Sequence, residues 1–208
     1  MVKKLESSLL NMVLVLTGVA VVMGGILALV NDVTSGPIAQ QKEKALADGI
    51  KAVMECDDLV VTTTDTVRQD DAKGKELIYI IYQATDVQGK DLGAAVESTT
   101  GGFGGNLKVL VGFDPDGKIL GYTLLEHAET PGLGAKADKW FQKGQKGDII
   151  GKSPIEPLTV SKDGGQVDAI TASTITSRAF LLAVNNAYSA YMGIPAADAA
   201  TGASKQYK

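Results

Sequence analysis

Residues 107–134 read Leu107-Lys-Val-Leu-Val-Gly-Phe113, Asp114-Pro-Asp-Gly117, Lys118-Ile-Leu-Gly-Tyr-Thr-Leu-Leu-Glu126 and His127-Ala-Glu-Thr-Pro-Gly-Leu-Gly134. Two β-prone runs, 107–113 and 119–126, flank a four-residue turn. Pro115 presets φ for the turn, and Gly117 accepts the positive φ that closes it. The spacing predicts an antiparallel hairpin, so the domain is built on an antiparallel sheet. The polar loop 127–134 follows directly and carries the chain's single histidine.

Upstream, residues 77–85 (LIYIIYQAT) are rich in Ile and Tyr and read as a strand, and 59–64 as a shorter β-branched one. Residues 87–91 form a turn. Residues 97–106 are glycine-rich, but no Lys-Ser/Thr ending or helix follows. A nucleotide-binding loop is therefore disfavoured, which leaves a tight glycine turn that lets the backbone approach a ligand or a plain flexible loop. Ile38, Ala45, Ala47, Ile50, Val53 and Met54 recur among charges and predict an amphipathic helix over 38–54. Thr34-Ser35-Gly36-Pro37 predicts a break before it. Cys56, the single cysteine, reads as a small buried hydrophobe.

Residues 9–30 form a run of 22 whose only polar members are Asn11 and Thr17. As a helix the run spans about 33 Å, enough for a hydrocarbon core of about 30 Å. It is too long for the apolar region of a cleaved signal and reads as an uncleaved anchor. Lys3 and Lys4 before it and Asp32 after it place the N-terminus in the cytoplasm, although Lys42 and Lys44 weaken the bias. Ala20, Gly24 and Ala28 recur every four residues, a spacing that lets membrane helices approach closely.

Downstream, 135–143 predicts a short helix containing Trp140, read as a core anchor in preference to a ligand-stacking ring. Residues 168–177 read Asp168-Ala-Ile-Thr-Ala-Ser-Thr-Ile-Thr-Ser177, with five hydroxyls in the last seven positions. A helix-compatible run, 178–192, follows. Hydroxyls ahead of such a run mark a helix N-terminus, where free amides and the helix dipole favour an anion such as phosphate.

Two of these segments carry a resemblance to a known family. Residues 168–174 resemble the flavin-attachment motif of the FMN-binding family of the Rnf and sodium-pumping NADH:quinone oxidoreductase complexes. That motif runs Asp, two residues, Ser or Thr, usually Gly, usually Ala, then the Thr that carries FMN through a phosphoester. Residues 127–134 resemble the family's second signature, a His-x-Glu-Thr-Pro-Gly-Leu-Gly loop after a β-hairpin. The resemblance implies covalent FMN on Thr174, with Asp168, Thr171, Ala172, Ser173, Ile175 and Thr176 around the phosphate. It implies His127, Glu129, Thr130, Gly132 and Leu133 near the ring, where a carboxylate would oppose an anionic reduced flavin. The chain departs from the motif at Ala172 and Ser173. The backbone at Ala172 is then either an ordinary right-handed turn or strained.

The resemblance further implies an α+β fold: one transmembrane helix, then an external FMN-binding domain with an antiparallel sheet and flanking helices. The expected divisions are 1–31 cytoplasmic tail and anchor, 32–92 linker helix and first part of the external domain, 93–192 FMN-binding domain, and 193–208 tail. Within the family, the chain resembles the G subunit of an Rnf-type ferredoxin:NAD oxidoreductase that pumps ions and relays electrons. A length of 208 residues favours it over the C subunit of the sodium-pumping enzyme. Expected partners are the other membrane subunits, a separate flavin transferase that uses FAD, and the lipid bilayer. An anchored binding protein without flavin fits the composition equally well.

Composition limits the alternatives. The chain is 45% hydrophobic and 21% charged, with net charge -4 and pI about 5.0. These values suit a globular domain and disfavour nucleic acid. One Cys and one His are too few for a zinc site. No Ser/His/Asp set or carboxylate pair points to hydrolysis, so no complete active site is expected.

Overall fold

The computed structural model describes residues 9–70 and 76–195. Lys3 and Lys4 and the tail 196–208 lie outside the described residues. The chain divides into two compact units, one ending at Ala45 and one beginning at Leu46.

Helix α1 runs Leu9–Val53 without interruption and is long and apolar enough to cross a membrane. Leu9, Val15, Val22 and Leu29 along it are all exposed. The expected break at 34–37 is absent, with Pro37 inside the helix. Proline removes the N–H that would meet the carbonyl of Val33. The hydroxyls just before it fold back onto the helix. Thr34 Oγ1 donates to the Val30 carbonyl at 2.8 Å, and Ser35 Oγ to the Asp32 carbonyl at 3.0 Å. Such back-bonding is compatible with a helix and gives two carbonyls near the proline a hydroxyl donor.

In the second unit, β1 (Val60–Asp70), β2 (Glu76–Thr85), β3 (Asp91–Gly101), β4 (Asn106–Phe113) and β5 (Ile119–Glu126) form one antiparallel sheet in sequence order. The 107–113/119–126 hairpin forms as its sequence dictates. Asp114 Oδ1 accepts from the amides of Asp116 (3.0 Å) and Lys118 (2.7 Å), and Gly117 takes φ 78°. One strand is longer than its local signal, and β3 lies where no strand is read from the sequence. β1 continues six residues past 64. β3 runs to Gly101, which narrows the glycine-rich loop to a turn at 102–105 closed by Gly102 N–H to Gly105 O at 2.8 Å.

The sheet is covered on both faces. On one lies α3 (Thr174–Met192), whose Ala179, Phe180, Leu181, Ala183, Val184 and Ala187 are buried with Val109, Val111 and Phe113 of β4. Phe180 stacks on Phe141 at 4.3 Å and meets Tyr122 edge-on at 4.7 Å. Each such fully buried side chain stabilises the fold by about 1.5–3 kcal/mol. On the other face the end of α1 contributes Ile50 and Val53, and the turn after it Met54, packed with Tyr82, Ala84, Ala95 and Leu110. Gly112 and Gly121 stand opposite each other in the β4–β5 register. A Cβ at Gly112 would collide with the Val53 carbonyl, and one at Gly121 would lie 3.0 Å from it. Those two glycines let the end of α1 touch the sheet backbone. Cys56, expected to be buried, is only half-buried, two residues past the buried Met54.

Between β5 and α3 the chain runs through a 3-10 turn at Gly134–Lys136, the short helix α2 (Ala137–Trp140) and a second 3-10 turn at Ser161–Asp163. Tyr122 fixes α2 to the sheet. Its hydroxyl donates to the Ala137 carbonyl at 2.7 Å and accepts from the Phe141 amide at 3.1 Å. Burial pushes this phenol well above its ordinary pKa.

Candidate functional site

The site is built at the start of α3, which begins one turn earlier than the run 178–192 indicates. The first intrahelical bond joins Ser177 N–H to the Ser173 carbonyl at 3.1 Å. The amides of Thr174, Ile175 and Thr176 precede it and are the donors a helix leaves over at its N-terminus. Ser173, at the N-cap position, makes no side-chain cap; its hydroxyl lies 3.0 Å from Thr176 Oγ1. Ser177 does the local bracing. Its Oγ accepts from the Ile170 amide at 2.9 Å and donates to the Ser173 carbonyl at 3.0 Å.

Ala172 has φ 60°, so of the two backbones open to it the chain takes the strained one. A left-handed alanine costs roughly 1–2 kcal/mol, and glycine would remove that at some cost in chain entropy. Ala172→Gly is therefore expected to stabilise the protein by up to about 1 kcal/mol, raising Tm by about 2–4 °C. An unchanged or lower Tm would show that the turn holds no strain.

Glu129 is buried, and both its oxygens are bound by the protein. Oε1 accepts from the amides of Phe103 (2.7 Å) and Gly104 (3.2 Å) in the β3–β4 turn. Oε2 accepts from Thr176 Oγ1 at 2.7 Å. One carboxylate thus joins the glycine-rich turn, the 127–134 loop and the first turn of α3. Glycine makes room for it: a Cβ at Gly102 would collide with Oε1, and one at Gly134 with Oε2 and, at 2.7 Å, with Thr176 Oγ1.

Thr174 lies on the outer side of this arrangement. It is half-buried, and its Oγ1 accepts from Lys162 Nζ at 3.1 Å. The turn that carries Lys162 is pinned to α3. Arg178 takes the Asp163 carboxylate through two bonds of 2.7 Å, which also raises the guanidinium pKa. Ser161 Oγ donates to Asp168 Oδ1 at 3.2 Å, and the Asp168 carbonyl accepts from Trp140 Nε1 at 2.8 Å. Asp168 therefore links the Lys162 turn to α2. Trp140 packs against the core and also borders an open groove of about 390 Å³ with Pro131, Gly132, Lys136 and Gln145.

The expected residues fall into two groups. Glu129, Ser173 and Thr176 are brought into one buried hydrogen-bonded set, and Thr174 adjoins it with half-buried Ile175. His127, Thr130, Gly132 and Leu133 are exposed along the loop, and Thr171, Ala172 and Asp168 are exposed ahead of the helix. His127 Nδ1 accepts from the Glu129 amide at 3.4 Å. Lys162 and the Asp163–Arg178 pair were not read from the sequence. The Lys-Asp-Gly-Gly stretch at 162–165, a tight turn one element before the motif, was the available signal.

The FMN-binding domain family matches residues 102–189, from the turn at Gly102 to the body of α3. The three segments joined by Glu129 all lie within that match. The G subunit of the ion-translocating oxidoreductase complex of Shewanella baltica is 36% identical over 176 residues, covering 81% of this chain and 82% of that protein. Its counterpart from Aliivibrio fischeri (strain MJ11) is 34% identical over 182 residues, covering 84% and 86%. That from Yersinia pestis is 35% identical over 171 residues, covering 78% and 80%.

The chain belongs to the family of these G subunits.

In this member of the family, the start of α3 has the donors that suit a phosphate group. The start of α3 supplies a hydroxyl on its first residue, three leftover amides and an ammonium 3.1 Å from that hydroxyl. The open groove bordered by Trp140 is lined by Pro131 and Gly132 of the 127–134 loop.

Proposed function

We propose that this chain is the membrane-anchored flavoprotein subunit of an ion-translocating oxidoreductase complex, carrying FMN as a phosphoester on Thr174 and relaying electrons within that complex. The observation that carries the attachment site is the sorting of the five hydroxyls. Ser173, Thr176 and Ser177 are buried and bonded inside the protein. Thr171 is exposed but lies ahead of the helix. Thr174 alone combines accessibility with the helix's leftover amides and a neighbouring cation.

FMN when bound supplies one- and two-electron transfer. The chain's own residues hold and orient it. The α3 amides and Lys162 take the phosphate, and Asp168 holds the Lys162 turn against α2. The loop at Thr130, Gly132 and Leu133, with His127 at its entry, faces the ring, and Glu129 fixes that loop to α3. α1 holds the unit at a lipid bilayer, with residues 93–192 as the flavin-carrying part on the external face. A flavin transferase loads the chain there, and the other membrane subunits exchange electrons with it.

Attachment is tested on the full chain made in a host that contains the transferase. A fluorescent band after acid precipitation and denaturing electrophoresis is expected, with the FMN mass on Thr174 in the tryptic peptide 163–178. A dark band overturns the flavin reading; FMN mass on Ser173 or Thr176 overturns the placement.

A further inference from the structure

We propose that Lys162 is the counter-ion of the flavin phosphate, the side chain that makes this site prefer a phosphorylated flavin. The inference rests on Thr174 being the attachment point. The sequence motif does not contain this residue, which lies twelve positions before Thr174. The fold brings it there by a specific construction. The 3-10 turn Ser161–Asp163 ends at Gly164, in a left-handed conformation, and Ser161 N–H bonds the Val167 carbonyl at 2.7 Å.

The turn's own acid is held by α3. The Asp163 carboxylate receives two short bonds from Arg178, which is itself part of α3. Asp168 is engaged by Ser161. Lys162 is left directed at Thr174 Oγ1, at 3.1 Å. An ester at that oxygen places its phosphorus one bond further on, with a charged oxygen within reach of the same ammonium. A lysine suits this task, because it acts as a compact point charge on a flexible stem that can follow the oxygen from hydroxyl to ester.

The α3 amides donate to any anion at the helix end, whereas Lys162 supplies a full charge at one position. Removing it should therefore weaken binding of the phosphate and leave the ring's contacts alone. The test compares FMN with riboflavin, which has the same ring and no phosphate. Both are titrated by flavin fluorescence into full-length protein in detergent, made in a host without the transferase. The unsubstituted protein is expected to bind FMN more tightly. In Lys162→Met the FMN affinity should fall roughly fivefold, the upper range for a half-exposed ion pair, and further in Lys162→Glu. Riboflavin affinity should not change, and Lys162→Arg should restore most of the difference. The FMN advantage should also shrink with added salt in the unsubstituted protein and less so in Lys162→Met.

An FMN-to-riboflavin ratio that is the same in Lys162→Met and the unsubstituted protein overturns the inference, as does an equal loss of both ligands. The peptide mass at Thr174 is read separately in a transferase-containing host. FMN on Thr174 with an unaltered ratio sinks the Lys162 role alone, and absence of FMN from peptide 163–178 sinks the attachment on which it rests.

Discussion

Thr174→Val is expected to remove covalent flavin completely while leaving the fold intact. Valine keeps the branched shape of threonine and lacks only the hydroxyl. That hydroxyl is half-buried and bonds one exposed lysine, so stability should change by less than about 0.5 kcal/mol. The ester, by contrast, cannot form without an oxygen. Thr174→Ser should retain attachment, because serine restores the nucleophilic oxygen at the same helix position. Thr176→Val separates the two roles. Its hydroxyl is buried and donates to Glu129 at 2.7 Å, so the protein should lose stability and still carry FMN. In-gel fluorescence and peptide mass read attachment, and thermal unfolding reads the fold. Full flavin loading of Thr174→Val would exclude Thr174 as the carrier.

Glu129→Ala should be the most destabilising single change at the site. It strands the Phe103 and Gly104 amides and the Thr176 hydroxyl around a cavity the size of a carboxylate. Hydrogen bonds to a charged acceptor contribute about 1.5–3 kcal/mol each and do not simply add. A loss of about 3 kcal/mol is expected, lowering Tm by roughly 6–12 °C. Glu129→Gln should cost about 1 kcal/mol. Its amide oxygen can accept from the two backbone amides while its NH₂ donates to Thr176, which then donates to Ser173. Equal Tm values for Glu129→Ala and the unsubstituted protein would show that the carboxylate does not hold these segments together. The same geometry bears on the expectation that Glu129 tunes the ring by its charge. Both oxygens are bound by the protein, so a substitution there can act on a flavin through the position of the 127–134 loop as well as through charge.

The parts of the fold legible in the sequence are those whose cause is local. Asp114-Pro-Asp-Gly117 carries its own turn mechanism, and the alternating runs beside it leave one hairpin as the solution. The start of α3 was legible for the same reason, to within a turn. Pro37 misled because its signal is also local, whereas α1 continues through it with Thr34 and Ser35 bonded back onto the helix. The bond from Glu129 to Thr176 spans 47 positions, and no spacing rule announces it. Ala172 shows what sequence reasoning can do at such a point: it posed two backbones, and the geometry chose the left-handed one. Lys162 was missed because its turn is held beside Thr174 by the bonds from Arg178 to Asp163, which span 15 positions.

The burial of Ser173, Thr176 and Ser177 has a consequence for the timing of maturation. In an unfolded chain the five hydroxyls of 171–177 are chemically near-equivalent alcohols, and an enzyme that reached them then would face five targets. Folding withdraws three of them into hydrogen bonds and leaves Thr174 at a helix end beside a cation. Thr171 also stays exposed but lies ahead of the helix, so selectivity for Thr174 would be a property of the native state. Any modification confined to Thr174 would serve as a record that the sheet, the 127–134 loop and α3 had already come together.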